Sequence, residues 1–296
     1  MAVVSGAPPA AVDWELTIDA APSLAAAASR VRNVDAVQIA QALARAGLEL
    51  PLAVRVTLVP EEDPIARRMP DWIVGRAFGS RDVLIVPERV AAYPYDSLES
   101  VVRHEVVHLA LSARADGRPL PRWFHEGVAV SVETGWGFAD NLKLLLAAGT
   151  DPAVADLTRL FQSDARPETE RAYRLAAALV DDVRRRHGAA APGAIASHVA
   201  RGVPFARAFE LETSETPDEA ASHAWATYRR WTTWLPFLTS GAALWTAIMA
   251  LAFVAFFARL VQRARRRREW NEDPWNDEDP GDDSWRTGDH RPGDPI

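Results

Sequence analysis

His104-Glu105-Val106-Val107-His108 sets two imidazoles four residues apart, with a carboxylate beside the first. On a helix, residues four apart share a face, so both rings can reach one metal ion. The glutamate between them can take a proton from a metal-bound water. A catalytic zinc takes three protein ligands and keeps one position open for water or substrate. Glu126, within Trp123-Phe124-His125-Glu126-Gly127 and 18 residues after His108, supplies the third. One zinc ion per chain is therefore expected at His104, His108 and Glu126. It would lower the pKa of bound water and polarise a carbonyl, while Glu105 accepts the water's proton and hands it to a leaving amine. An oxyanion partner is also needed. Tyr173, His187 and His125 are the candidates, and Tyr173, at the start of a long helix after the metal segment, is preferred.

A bare HExxH occurs by chance in many helices, where it is only a polar face. The elements around it argue otherwise. Val101, Val102, Val106, Leu109 and Leu111 make the HExxH helix apolar enough to be buried, and polar side chains inside such a helix need partners. Asp96 or Ser97 caps that helix. Glu126 lies on a second helix, Pro121 to Val132, with Pro in its first turn and with Gly127, Ala129 and Val130 as small or apolar neighbours. Strands precede both. Ala53 to Val59 alternates with period two and ends at Pro60; Trp72 to Phe78 and Asp82 to Val86 flank the hairpin-type turn Gly79-Ser80-Arg81. Ile18 to Leu48 reads as helix, and helices are expected at 138–148, 154–162, 169–186, 192–201, 203–210 and 217–234. The class is α+β: a small antiparallel or mixed sheet followed by a helical subdomain that carries the HExxH helix.

Outside this domain, taken as 16–234, the chain changes character. Residues 1–15 are Ala/Pro-rich and read either as a disordered N-terminus or as the remnant of a signal peptide whose true start lies upstream. Residues 235–261 carry no charge before Arg259, which predicts one transmembrane helix. Five arginines between 263 and 268 follow directly and favour a cytoplasmic C-terminus, hence a single-pass cell-membrane protein with an extracytoplasmic catalytic domain. The stretch 262–296 is a basic stop followed by an acidic tail expected to be disordered. It reads first as a solubilising tail, with a docking segment for a cytoplasmic partner through Trp270, Trp275 and Trp285 as the alternative. Composition excludes several classes. With no cysteine there is no disulfide, zinc knuckle or thiol catalysis, and a net charge of -7 argues against nucleic acid as partner.

The two motifs together resemble the gluzincin metallopeptidases, the thermolysin-like group with an HExxH helix and a glutamate ligand on the next helix. The closer likeness is to their small bacterial members, the minigluzincins or peptidase-MA-like proteins, whose second motif reads Trp, a variable residue or two, Glu-Gly and a small residue. The resemblance covers roughly residues 35–210. It implies zinc at His104, His108 and Glu126, general base at Glu105, a Tyr-bearing helix that Ala172-Tyr173-Arg174 matches, and an edge strand, taken as Asp82 to Val86, that holds an extended peptide by β-augmentation. One departure stands out. Thermolysin-like enzymes often place an acidic residue one turn after the glutamate ligand, where it orients a histidine. Here that position is Val130, so the outer partner must come from elsewhere, with Glu133 off the ideal face. The expected function is hydrolysis of peptide or protein substrates by a membrane-anchored zinc metallopeptidase. The alternative is a catalytically silent zincin-fold binding or scaffold module. An intramembrane protease is excluded by the distance between HExxH and the apolar segment.

Overall fold

A computed structural model describes residues 14–90, 95–133, 152–163, 165–226 and 241–271. The chain divides into two compact units, Met1–Thr232 and Thr233–Ile296.

The first unit is α+β. Strand β1 (Glu15–Ala20) leads through a short turn to α1 (Ala25–Arg32) and α2 (Ala36–Arg45), then to β2 (Ala53–Leu58), β3 (Gly75–Phe78) and β4 (Asp82–Ile85). The sheet is mixed, in the order β1-β2-β4-β3. β1 and β4 run parallel to β2, and β3 pairs antiparallel with β4 in the register Gly75↔Ile85 to Phe78↔Asp82. The alternation in β2 sends Val54, Val56 and Leu58 into the core, while Arg55 points out. Gly79, at φ +58°, makes the β3–β4 turn.

Two sequence expectations change here. Ile18 to Leu48 is not one helix: its start belongs to β1, and two helices follow. β1 alternates exposed Glu15, Thr17 and Asp19 with half-buried Leu16, Ile18 and Ala20, a period-two run that a helix starting at Ile18 cuts in two. Asp35 breaks the helix by capping a new one, its carboxylate accepting from Gln38 N at 3.0 Å. The expected edge strand also moves. β4 lies inside the sheet, between β2 and β3, and β3 is the edge.

Helices α3 (Leu98–Arg114) and α4 (Arg122–Glu133) follow, then α5 (Val154–Phe161), α6 (Arg166–His187), α7 (Ala191–Ala200), α8 (Phe205–Thr213) and a helical stretch α9 at 217–226. Ser97 is the cap of α3. Its hydroxyl accepts from Ser100 N at 3.1 Å, and Ser100 Oγ accepts from Ser97 N at 3.3 Å. α3 is buried on most sides because the sheet, α1, α2, α4 and α7 all pack on it. α4 lies in extensive contact with α6. Trp123 and Phe124 anchor it through edge contacts with Phe205 on α8. The expected helix at 138–148 lies outside the described residues, as do residues 1–13, the end of the 217–234 helix, Trp231, Trp234 and the tail beyond 271.

In the second unit, α10 (Gly241–Asn271) is 31 residues long. It does not bear out a membrane span at 235–261 or a single-pass location: among the described residues no helix is long and apolar enough to cross a membrane. The helix continues past Arg259 and Arg263, so part of its length is charged. The outward-facing domain and the cytoplasmic tail, which depended on that span, fall with it.

Candidate metal centre

α3 presents His104 and His108 on one face, and α4 brings Glu126 to meet them. His104 Nε2 lies 3.4 Å and His108 Nε2 3.3 Å from the same oxygen, Glu126 Oε2. The two rings meet edge to face at 4.7 Å. His104 is fully buried, Glu105 is 2 % exposed, and the three converging groups can hold a metal ion. Close helix packing sets Glu126 in place. A Cβ on Gly127 would sit 2.5 Å from the carbonyl oxygen of Ala176, so only glycine lets α4 approach α6 this closely.

The sheet side is equally tight. A Cβ on Gly75 would lie 2.9 Å from Glu105 Oε1 and 2.9 Å from Val101 Cγ1. This approach brings the Ala77 backbone N–H near enough to the Glu105 carboxylate to favour its ionised form. On the other side the Tyr95 hydroxyl is 3.5 Å from Glu105 Oε1, and its ring meets His104 edge-on at 5.1 Å. α6 contributes Tyr173, whose ring lies 6.5 Å from His104 and 5.3 Å from Phe161. Arg122, one turn before Glu126, places Nε 3.7 Å from Glu126 Oε1 and donates from Nη1 to the Phe161 carbonyl at 2.7 Å. All of this opens on a cavity of about 850 Å³, lined by the β3 segment 74–77 and by Tyr95, Glu105, His108, Arg122, His125, Glu126 and Tyr173.

Electrostatics separates the two carboxylates. Burial raises the pKa of Glu105, and the neighbouring imidazoles only partly oppose it. Burial acts the same way on Glu126, but His108 and His104 outweigh it and hold that carboxyl well below its ordinary value. For His108 the pull of burial is more than offset by Glu126, so its pKa is raised. His125 is lowered to about 4 by burial and by His108. Tyr173 is pushed well above its ordinary value, chiefly by burial and then by Glu126, and stays protonated. A buried carboxyl of raised pKa, an ionised carboxylate and a neutral phenol thus sit around one point.

Of the three oxyanion candidates, the structure gathers Tyr173 and His125 at the cavity. His187 is held elsewhere, 3.0 Å from Glu215 Oε1. Val130 is 3 % exposed and packs in the core. Sequence reasoning missed Arg122, Tyr95 and Gly75. Arg122 had a usable signal, since it stands four residues before Glu126 on the same helix face. Tyr95 comes from an irregular segment and Gly75 from a strand start, where no periodicity singles out a residue. Comparison with models of protein families, with curated proteins and with solved structures returns no match for the chain.

Proposed function

We propose that this chain is a zinc-dependent peptidase of the gluzincin type. The observation that carries the reading is the convergence of His104 Nε2, His108 Nε2 and Glu126 Oε2 on the wall of a cavity that also contains Glu105. Their nitrogen–oxygen separations of 3.3–3.4 Å fit zinc. Ligands at about 2.1 Å around a tetrahedral ion stand about 3.4 Å apart. Two imidazoles and one carboxylate also form a catalytic rather than a structural donor set, because a fourth position remains for substrate or water.

When bound, zinc supplies a Lewis acid that makes water acidic enough to attack near neutral pH and polarises the scissile carbonyl. The chain's own groups supply the rest. Glu105 takes the proton of the attacking water and returns it to the leaving nitrogen, and burial brings its basicity closer to that task. The Ala77 N–H and the Tyr95 hydroxyl fix the direction of its carboxylate. Tyr173, kept protonated, donates a hydrogen bond where negative charge develops on the carbonyl oxygen. β3 is the sheet edge and its residues line the cavity, so an extended peptide can pair with it, where the sequence had pointed to β4.

The test is elemental analysis of wild type, His108→Ala and Glu105→Gln, with peptide-library cleavage in parallel. Wild type should carry one zinc, and His108→Ala should lose it. Glu105→Gln should keep zinc and lose turnover by orders of magnitude, because an amide cannot accept the proton. Tyr173→Phe should cost roughly 10²–10³-fold in kcat. Equal zinc in wild type and His108→Ala would overturn the ligand set. A zinc-loaded wild type that cleaves nothing would make the domain a binding module.

A further inference from the structure

The two histidines that face Glu126 are not equally supported. A ligating histidine usually donates its other ring N–H to a partner that fixes ring orientation and tautomer. The Nδ1 of His104 is buried and has no hydrogen-bond partner among the described residues. The Nδ1 of His108 lies 3.3 Å from the Nδ1 of His125, with ring centroids 5.4 Å apart. Carboxylates, the commonest partners for this task, are engaged elsewhere: Glu126 faces both Nε2 atoms and Arg122, and Glu105 faces β3 and Tyr95. Val130, one turn beyond Glu126, carries no side-chain acceptor.

We infer that His125 is the positioning residue of the metal centre: its Nδ1 accepts the Nδ1–H of His108 and turns the Nε2 of that ring toward the ion. The inference rests on the metal reading above and adds a role to the chain segment that supplies the third ligand. An imidazole without a partner exchanges its proton between two nitrogens, and only the form with Nδ1–H leaves Nε2 open to a cation. By accepting at Nδ1, His125 selects that form, and its own proton then resides on Nε2. The arrangement is local. Consecutive residues His125 and Glu126 of α4 reach the two different nitrogens of the His108 ring, so one helix both ligates the ion and braces a ligand from α3. Placing α4 against α6 through Gly127 therefore sets two contacts at once.

The experiment measures zinc affinity by competition with a chromogenic chelator for wild type, His125→Ala and His125→Asn, together with the unfolding midpoint of each stripped protein. Asn places its amide oxygen near the position of the imidazole Nδ1 and can accept the same hydrogen bond. His125→Ala should bind zinc about 10–100-fold more weakly. His125→Asn should recover most of that loss, even where both variants lower the stripped midpoint equally. Wild-type affinity in His125→Ala would overturn the inference and leave the metal centre standing. An Asn variant as weak as the Ala variant would also overturn it, reducing His125 to packing. A wild type that takes up no zinc would overturn the metal reading and this inference with it.

Discussion

Replacing Gly75 by alanine isolates the contact between β3 and Glu105. The new methyl would stand 2.9 Å from Glu105 Oε1, 3.2 Å from Glu105 Cγ and 2.9 Å from Val101 Cγ1, whereas such heavy-atom pairs rest at about 3.5–4.0 Å. Something must retreat by roughly half an ångström or more. Val101 is fully buried and belongs to a helix packed by the sheet and four other helices, so it gives little. The carboxylate of Glu105 is the freer end, and moving it weakens its interaction with the Ala77 N–H. Overpacking of this kind costs about 1–3 kcal/mol of stability. A displacement near 1 Å at a reacting group costs on the order of 10²-fold in rate. Gly75→Ala should therefore unfold at lower denaturant and lose at least tenfold in kcat. On the proposed metal reading it should still bind zinc, because the three atoms nearest the new methyl belong to Glu105 and Val101 and not to His104, His108 or Glu126. Urea unfolding, metal content and peptide cleavage measured on one preparation check all three. A variant with wild-type stability and turnover would refute the claim that β3 holds Glu105 in place. Loss of zinc would refute the separation between base and ligands.

Gly127→Ala should destabilise by about 1–3 kcal/mol or more, because its methyl would meet the backbone oxygen of Ala176 at 2.5 Å and backbone cannot rotate away; denaturant midpoints decide it. The cluster around Glu215 gives the fold a dependence on pH. Burial raises the Glu215 carboxyl, but Arg186, His223 and His187 outweigh it, and its folded pKa falls below the ordinary 4.5. A depressed carboxyl contributes stability that is full above its unfolded value and is lost as pH falls through the folded value. Glu215→Gln should thus be less stable than wild type near neutrality, with the gap closing below about pH 4.5, as followed by unfolding midpoints between about pH 3 and pH 7.

What the sequence discloses depends on how local the cause is. The helices α3, α4 and α6 follow from 3.6-residue periodicity and caps, and β2 follows from period two, because each pattern is complete within its own segment. His104 and His108 share a face by helix geometry alone, so their pairing needed no tertiary information. Glu126 required more, since nothing local dictates that α4 crosses α3 at the height where one carboxylate oxygen meets both imidazoles. β1 was lost for the opposite reason. Its partner β2 lies 38 residues away in the register Glu15↔Ala53, and its six-residue alternation runs straight into the alanine-rich helical segment. Strand order is equally non-local: the turn at Gly79 shows that β3 and β4 pair, yet only the parallel pairing of β4 with β2 makes β3 the edge that lines the cavity.

The apolar stretch at 235–261 shows how far a one-dimensional count reaches. Hydropathy sums over a stretch without regard to where its helix ends, and α10 continues past Arg259 to Asn271. Among the described residues no helix is long and apolar enough to cross a membrane. The site itself makes the complementary point. Val130, in place of an acidic residue, meant that the outer partner of a ligand histidine had to come from elsewhere, with Glu133 off the ideal face. His125 was adjacent to Glu126 throughout, but two neighbouring residues on a helix point about 100° apart, which makes them look independent in sequence. They come together only because the His108 ring is inserted between them, with Nε2 toward Glu126 and Nδ1 toward His125. The His108–His125 contact is a property of the α3–α4 crossing, set by Gly127 against α6, and on the proposed metal reading a change at that glycine should weaken zinc binding.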